Sequence, residues 1–195
     1  MGVLSQEQIN EMGFAHIGKN PKLSDKASYY NCKNIFIGDN VRIDDFCVLS
    51  AGTGGIRIGN HIHIAVYSSL IGAGKISLHD FSNISSRVSI YSSNDDYSGT
   101  SMTNPTVPSE FTNVTHADVS IGRHVIIGAG SVVLPGVILE EGVAIGALSL
   151  VSKSCKAFDI CSGVPAKRIK SRKKDLLAIE QSFKASLLEQ ATCKG

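Results

Sequence analysis

A chain of 195 residues is long enough for one sizeable core, and two independent cores would strain it. The net charge of +2 argues against a whole-domain nucleic-acid surface, and no apolar run of 18 residues offers a membrane span. Trp is absent and aromatic residues are only 6% of the chain, so the interior must be filled by Val, Ile, Leu and Ala, which points to a narrow, regular core.

The start, MGVLSQEQINEMGF, has no basic segment followed by an apolar one, so it does not read as a secretion signal. Ser5 with Gln8 forms a capping-box pattern ahead of a short helix through Met12. The following NPKLSDKASYYNCKN is expected to close the lower end of whatever comes next. Cys32, Cys47, Cys155, Cys161 and Cys193 are odd in number, scattered and without a CxxC pair. They support neither a disulfide framework nor a zinc site, and reduced cytosolic thiols are expected.

From Ile37 an apolar residue recurs at every sixth place: Ile37, Ile43, Leu49; Ile58, Ile64, Leu70; Leu78, Ile84, Ile90; then Ile121, Ile127, Val133, Leu139, Ile145 and Val151. A small or β-branched residue often follows four places on, as at Val41, Ser82, Val88, Val125 and Ser131. A period of six fits neither a helix nor a flat strand; it is the hexapeptide signature of a parallel β-helix. Three hexads make one triangular coil, with the leading residue inside the prism and Gly, Asn or Asp at corners. Five coils at about 4.8 Å each would give a prism about 25 Å long.

Departures from the period are expected to be local. TGG at 53–55 and GAGK at 72–75 read as turns or bulges, and residues 91–118 read as a polar excursion from the prism. Lys167, Arg168, Lys170, Arg172, Lys173 and Lys174 crowd one stretch and point to a local anion site. Gly163-Val164-Pro165 reads as a punctuated link. After it, Leu176, Ile179, Phe183 and Leu187 fall at helical spacing, predicting an amphipathic helix that ends before Lys194-Gly195. The expected division is a β-helix domain over 1–170, with N-terminal cap and loop, and a C-terminal helix and tail over 171–195.

These hexads resemble the left-handed β-helix acyltransferases of the hexapeptide superfamily. VRIDDFCVLS, HIHIAVYSSLIG, HDFSNISSRVSIYSSNDDYSG, TNPTVP, HVIIGAGSVVLPGV, EGVAIGALSLV and GVPAKRIKSRKK are together similar to its sugar-modifying, N-acylating branch. The resemblance implies an all-β fold wound left-handed, and a cytoplasmic homotrimer with its sites in clefts between prisms. It further implies an acyl-CoA donor, acetyl or short hydroxyacyl, and as acceptor the amino group of a dTDP-linked 4-amino-4,6-dideoxyglucose used for surface polysaccharide such as O-antigen. An O-acetyltransferase acting on a sugar hydroxyl is the alternative, and a purely structural β-helix is a third reading that coenzyme A binding would exclude.

Onto the family's site the resemblance maps the acidic pair Asp95 and Asp96, the serines Ser85 and Ser86, and His63. A carboxylate can hold an ammonium sugar, and a hydroxyl can bond the thioester carbonyl. The usual loop histidine has no counterpart: His116 lies at the far end of the excursion, so the base is expected to be the departing coenzyme sulfur or a water. For the donor, Gly128, Ala129, Gly146 and Ala147 would let the pantetheine arm approach backbone amides, with Lys167, Lys170, Arg172 and Lys173 near the phosphates. His61 and His63, two apart, would share one side of a strand. A metal-dependent hydratase on this fold would need a third histidine, His79, His116 and His124 do not give its HxxxxH spacing, and no metal is expected.

Overall fold

The computed structural model describes residues 2–192; the helix end expected before Lys194 and the thiol of Cys193 lie outside the described residues. Short strands stack in parallel into three walls of a left-handed β-helix. The first wall runs from His16–Ile17 to Ile138–Leu139, the third from Ser28–Tyr30 to Leu150–Val151, each six strands deep. The second begins at Lys22–Leu23 and ends in a hairpin, Asp159–Gly163 against Ala166–Ser171, making eight strands.

The period of six follows from this geometry, because each wall turns one leading side chain inward and the next wall begins after a corner. On the second wall Leu23, Ile43, Ile64, Ile84, Ile127, Ile145 and Cys161 lie directly over one another, all at most 3% exposed. Each fully buried aliphatic side chain contributes about 1.5–3 kcal/mol of transfer free energy. The residues four places on, such as Val41, Val88, Val125 and Ser131, are buried as well.

The expected count of five coils is one too few. Residues 16–30 are themselves the first coil, pairing with Phe36–Ile37, Arg42–Ile43 and Val48–Ser50, rather than a plug for the lower end. Closure falls to the N-terminal helix, Gln6–Glu11, whose capping box of Ser5 and Gln8 forms as expected and whose Ile9 is buried. Turns interrupt the walls near Gly52–Gly55 and Gly72–Lys75, where Gly55 and Gly72 adopt φ of +77° and +145° that favour glycine. The polar excursion leaves at the third corner as an antiparallel ribbon, Ser93–Asn94 with Thr115–His116.

Gly163-Val164-Pro165 forms the turn of the hairpin, whose second strand carries Lys167, Arg168 and Lys170, and the C-terminal helix starts at Leu176. That helix lies across the first corner, where His61, Phe81 and His124, all at positive φ, stack face to face 5.1 Å apart and Phe183 meets His61 and Phe81 edge-on. His61 therefore sits in a corner while His63 opens the next strand, so the two do not share a strand face. The helix's best-covered described side chain is a charged one. Glu180, 8% exposed, accepts from Arg123, from His124 Nε2 at 2.7 Å and from Lys184 Nζ at 2.6 Å.

These partners, Lys184 first, outweigh burial and pull the Glu180 carboxyl from its ordinary 4.5 down to about 2. A depressed carboxyl pKa stabilises the fold fully above pH 4.5, and that contribution is lost as pH falls towards 2. Glu180→Gln should accordingly cost about 1–3 kcal/mol at neutral pH. Thermal melts of the two proteins should diverge at pH 7 and converge in acid; a constant gap across pH would count against the ion-pair account.

Candidate active site

The second corner, where the second wall turns into the third, gathers six of the residues the sequence singles out. Amide N–H groups of Asp44, Ala65, Ser85, Gly128 and Gly146 each donate to the coil above, at 2.8–3.0 Å, which sets these residues in one vertical column capped by Ser162. The next position forms a second column of Asp45, Val66, Ser86, Ala129 and Ala147. Ser85 and Ser86 thus stand directly below Gly128-Ala129 and Gly146-Ala147. The serines and the small residues form one continuous strip.

Glycine is required on this strip by stacking. A Cβ on Gly128 would lie 2.4 Å from the Ala147 nitrogen, and one on Gly146 would lie 2.5 Å from Ser162 Oγ. Ala129 and Ala147 are exposed and extend only a methyl, so the strip is shallow there, with the exposed Leu148 beside it at the outermost place of the corner. Such an edge lets an extended chain lie close to the backbone.

At the strip's upper end the hairpin sets Lys167 opposite Ser162 and Lys170 opposite Ile160, both exposed. Arg168 turns back to Asp159 at 2.6 Å. Arg172 departs from the expected group: its Nη1 donates to the carbonyls of His124 at 2.8 Å and Gly142 at 3.0 Å, on the first corner, and burial lowers its pKa. Lys173 is exposed just beyond it.

Below the serines stands a constellation that spacing alone did not reveal. Asp44 accepts from Arg42 Nε at 2.7 Å and pairs with His63 Nε2 at 2.8 Å. Burial by itself would raise the Asp44 pKa, but the hydrogen bonds from His63 and Arg42 outweigh it and hold the carboxyl below its usual range. The carboxylate thereby fixes the orientation of the His63 ring. The signal in the sequence was R-I-D, two outward residues of one strand, which acquires meaning only once His63 is known to stack on Arg42.

The acidic pair lies elsewhere. Asp96 accepts from Ser98 N and Ser101 N, both at 2.8 Å, and from Thr100 Oγ1 at 3.0 Å, and these bonds, those of Ser98 first, draw its pKa down to about 2. Its carboxylate builds the loop's turn, whereas the neighbouring Asp95 is exposed. Both line a cavity of about 300 Å³ with Tyr97 and Thr103. His116 anchors the ribbon's base, its Nδ1 bonded to Ser93 Oγ at 2.8 Å. Ser93 Oγ also accepts from Ala73 N–H at 2.7 Å, which ties the ribbon's base to the neighbouring coil.

The excursion leaves at the third corner and the serines sit at the second, with the strand Ser89–Tyr91 of the third wall between them. Among the described residues no hydrogen bond or ion pair joins the two groups. Within one chain the carboxylates and serines stay apart.

Residues 118–153 match the family described as bacterial transferase hexapeptide (six repeats). The chain is 61% identical over 188 residues, 96% of its length and 98% of the relative's, to a dTDP-4-amino-4,6-dideoxy-D-glucose acyltransferase of Escherichia coli. It belongs to the hexapeptide-repeat acyltransferases. The member AntD, an N-acyltransferase from Bacillus cereus solved with dTDP and 3-hydroxybutyryl-CoA, is 45% identical and superposes with a TM-score of 0.91 over 96% of this chain and 99% of that one. AntD has also been solved with one serine or one aspartate replaced, the serine variant holding dTDP-4-amino-4,6-dideoxyglucose and coenzyme A. Those two positions are ten residues apart, the separation of Ser85 from Asp95 and of Ser86 from Asp96. A more distant hexapeptide relative, a putative lipopolysaccharide biosynthesis O-acetyl transferase of Escherichia coli, is 30% identical over 70% of this chain and 60% of its own.

Proposed function

We propose that this protein moves an acyl group, acetyl or a short hydroxyacyl, from coenzyme A to the 4-amino group of dTDP-4-amino-4,6-dideoxyglucose. The observation that carries the reading is the strip: basic hairpin, small residues and paired serines in line on one corner, on a chain 61% identical to an acyltransferase for that sugar. Lys167, Lys170 and Lys173 take the coenzyme phosphates, and the pantetheine amides bond the backbone beside Ala129 and Ala147. The thioester then reaches Ser85 and Ser86.

The free amine attacks the thioester carbonyl, the oxygen gains negative charge, and the C–S bond breaks to expel the thiolate. A serine hydroxyl bonds the developing oxyanion. The departing sulfur takes the proton the nitrogen releases, so no side-chain base is needed. Asp95 and Asp96 divide the acidic work, Asp96 shaping the loop and Asp95 holding the positively charged acceptor before it gives its first proton to water. Because strip and loop stand on different corners, each site pairs the strip of one copy with the excursion of a neighbour in a cyclic homotrimer. The setting is the cytoplasm, and the product serves surface polysaccharide such as O-antigen.

Thiol release with acetyl-CoA or 3-hydroxybutyryl-CoA tests the reading. Turnover is expected with the 4-amino sugar nucleotide and not with its 4-hydroxyl counterpart; turnover with the hydroxyl sugar alone would establish the O-acetyltransferase alternative. Replacing Lys167, Lys170 and Lys173 together by Ala should weaken coenzyme A about 10-fold or more and flatten its salt dependence, with a smaller loss for the 3′-dephospho form. Equal losses for both ligands, measured by calorimetry, would remove the lysines from the phosphate site.

A further inference from the structure

Directly inside the second corner runs a further column, Cys47, Ser68, Val88, Ser131 and Ser149, each at most 3% exposed. We propose that Ser68 is a positioning residue for acyl transfer: its buried hydroxyl holds the Ser85 carbonyl inward and so aims the Ser86 amide N–H at the thioester oxygen. The inference rests on the acyl-transfer reading above and names a group that the substrates never touch.

Ser68 Oγ donates to the Ser85 carbonyl in the coil above at 2.9 Å and accepts from Val88 N–H at 3.2 Å. The hydroxyl lies within the prism, so the peptide joining Ser85 to Ser86 turns its carbonyl inward. That peptide is trans, which sets its N–H opposite the carbonyl and towards the strip. Among the described residues nothing accepts from the Ser86 N–H, nor from the equivalent N–H groups of Ala129 and Ala147. An outward amide without a protein acceptor, beside the serines proposed to meet the thioester, is a preorganised donor for developing negative charge.

The same device recurs along the column. Ser131 Oγ donates at 3.1 Å and Ser149 Oγ at 2.7 Å to the Gly146 carbonyl, and Cys47 Sγ reaches the Ala65 carbonyl at 3.2 Å. Val88 fills its place in the column with an aliphatic side chain, fully buried. Closing the core therefore does not call for a hydroxyl at Ser68; its use is on the peptide above it. Because that peptide is held before the amine attacks, its N–H meets the charge gained by the carbonyl oxygen without having to reorganise.

Steady-state kinetics with acyl-CoA and the 4-amino sugar nucleotide test the assignment, together with the infrared carbonyl stretch of isotope-labelled acetyl-CoA bound alongside dTDP. Ser68→Ala and Ser68→Val, the second borrowing the side chain the column carries at Val88, should each lower kcat about 10-fold or more while both KM values stay within about twofold. Ser68→Cys should stay within about threefold of the wild-type kcat, since the Cys47 thiol reaches the carbonyl above it. Cys47→Ala removes the corresponding bond one coil lower and should leave kcat unchanged. The labelled carbonyl should absorb below its free value in the wild type and return towards that value in Ser68→Ala. A folded Ser68→Ala or Ser68→Val protein with wild-type kcat would overturn the inference, as would an equal loss in Ser68→Cys, which would reduce Ser68 to packing. Wild-type protein that releases no thiol with the amino sugar would overturn the acyl-transfer reading itself, and the inference with it.

Discussion

Two inactive variants should restore each other. The double change Ser85→Ala/Ser86→Ala removes the hydroxyls on the strip, and Asp95→Asn/Asp96→Asn removes the carboxylates on the excursion. Each is expected to lose about 100-fold or more in kcat/KM, the scale of losing a preorganised group at the reacting centre. Because the third wall stands between these groups within one chain, the proposed site draws them from two copies. In the proposed ring of three, one containing both kinds of chain has one site that pairs an intact strip with an intact loop, so mixed rings selected through two affinity tags should turn over at about one third of the wild-type rate. Activity no higher than that of the parent variants would place serine and carboxylate in the same chain, or assign the chemistry to neither.

The second large effect concerns the strip's shallow edge. Ala129 and Ala147 are exposed and their methyl groups face outward, so Leu at either place fills the groove without touching the core. The KM for acyl-CoA should rise about 100-fold, the acceptor KM should stay near its original value, and the melting temperature should hold. Gly128→Ala makes the opposite point. Its Cβ would stand 2.4 Å from the Ala147 nitrogen, so coils must shift and stability should fall by about 1–3 kcal/mol. Leu variants that bind the donor normally would move the pantetheine arm off this corner.

The prism itself was legible because leading residues obey one rule, an aliphatic side chain at every sixth place. The first coil escaped that rule where Tyr29, whose phenol burial pushes up, follows Ile17 and Leu23 in the leading place of its third hexad. The hairpin stays hidden because its second strand, Ala166–Ser171, is almost wholly exposed, and alternation disappears when a strand buries so little of itself. The site's small residues and serines could each be picked out, but their alignment could not. Successive members of one column are 21, 20 and 18 residues apart at Asp44 to Ala65, Ala65 to Ser85 and Gly128 to Gly146, with the excursion intervening between Ser85 and Gly128. A stride that changes with every corner turn hides vertical neighbours. Glu180 was concealed for another reason: the apolar spacing of Leu176, Ile179 and Phe183 drew attention to the helix's oily stripe, while the anchoring contact is ionic.

The stacked coils also make the protein a ruler. From Ser162 in the basic hairpin down to Ser85 there are three coil steps, through Gly146 and Gly128, so the strip proposed for the donor's arm spans about 14 Å and can change only in increments of about 4.8 Å. Corners and excursions can lengthen freely without altering that span, as the 43 residues from Ser85 to Gly128 show by advancing the column a single step. An inserted coil between hairpin and serines would leave the fold sound while setting the thioester one graduation short of the amine. Evolution of the acceptor side can therefore proceed through loop length and corner chemistry, with the donor's measure held fixed by a whole number of turns.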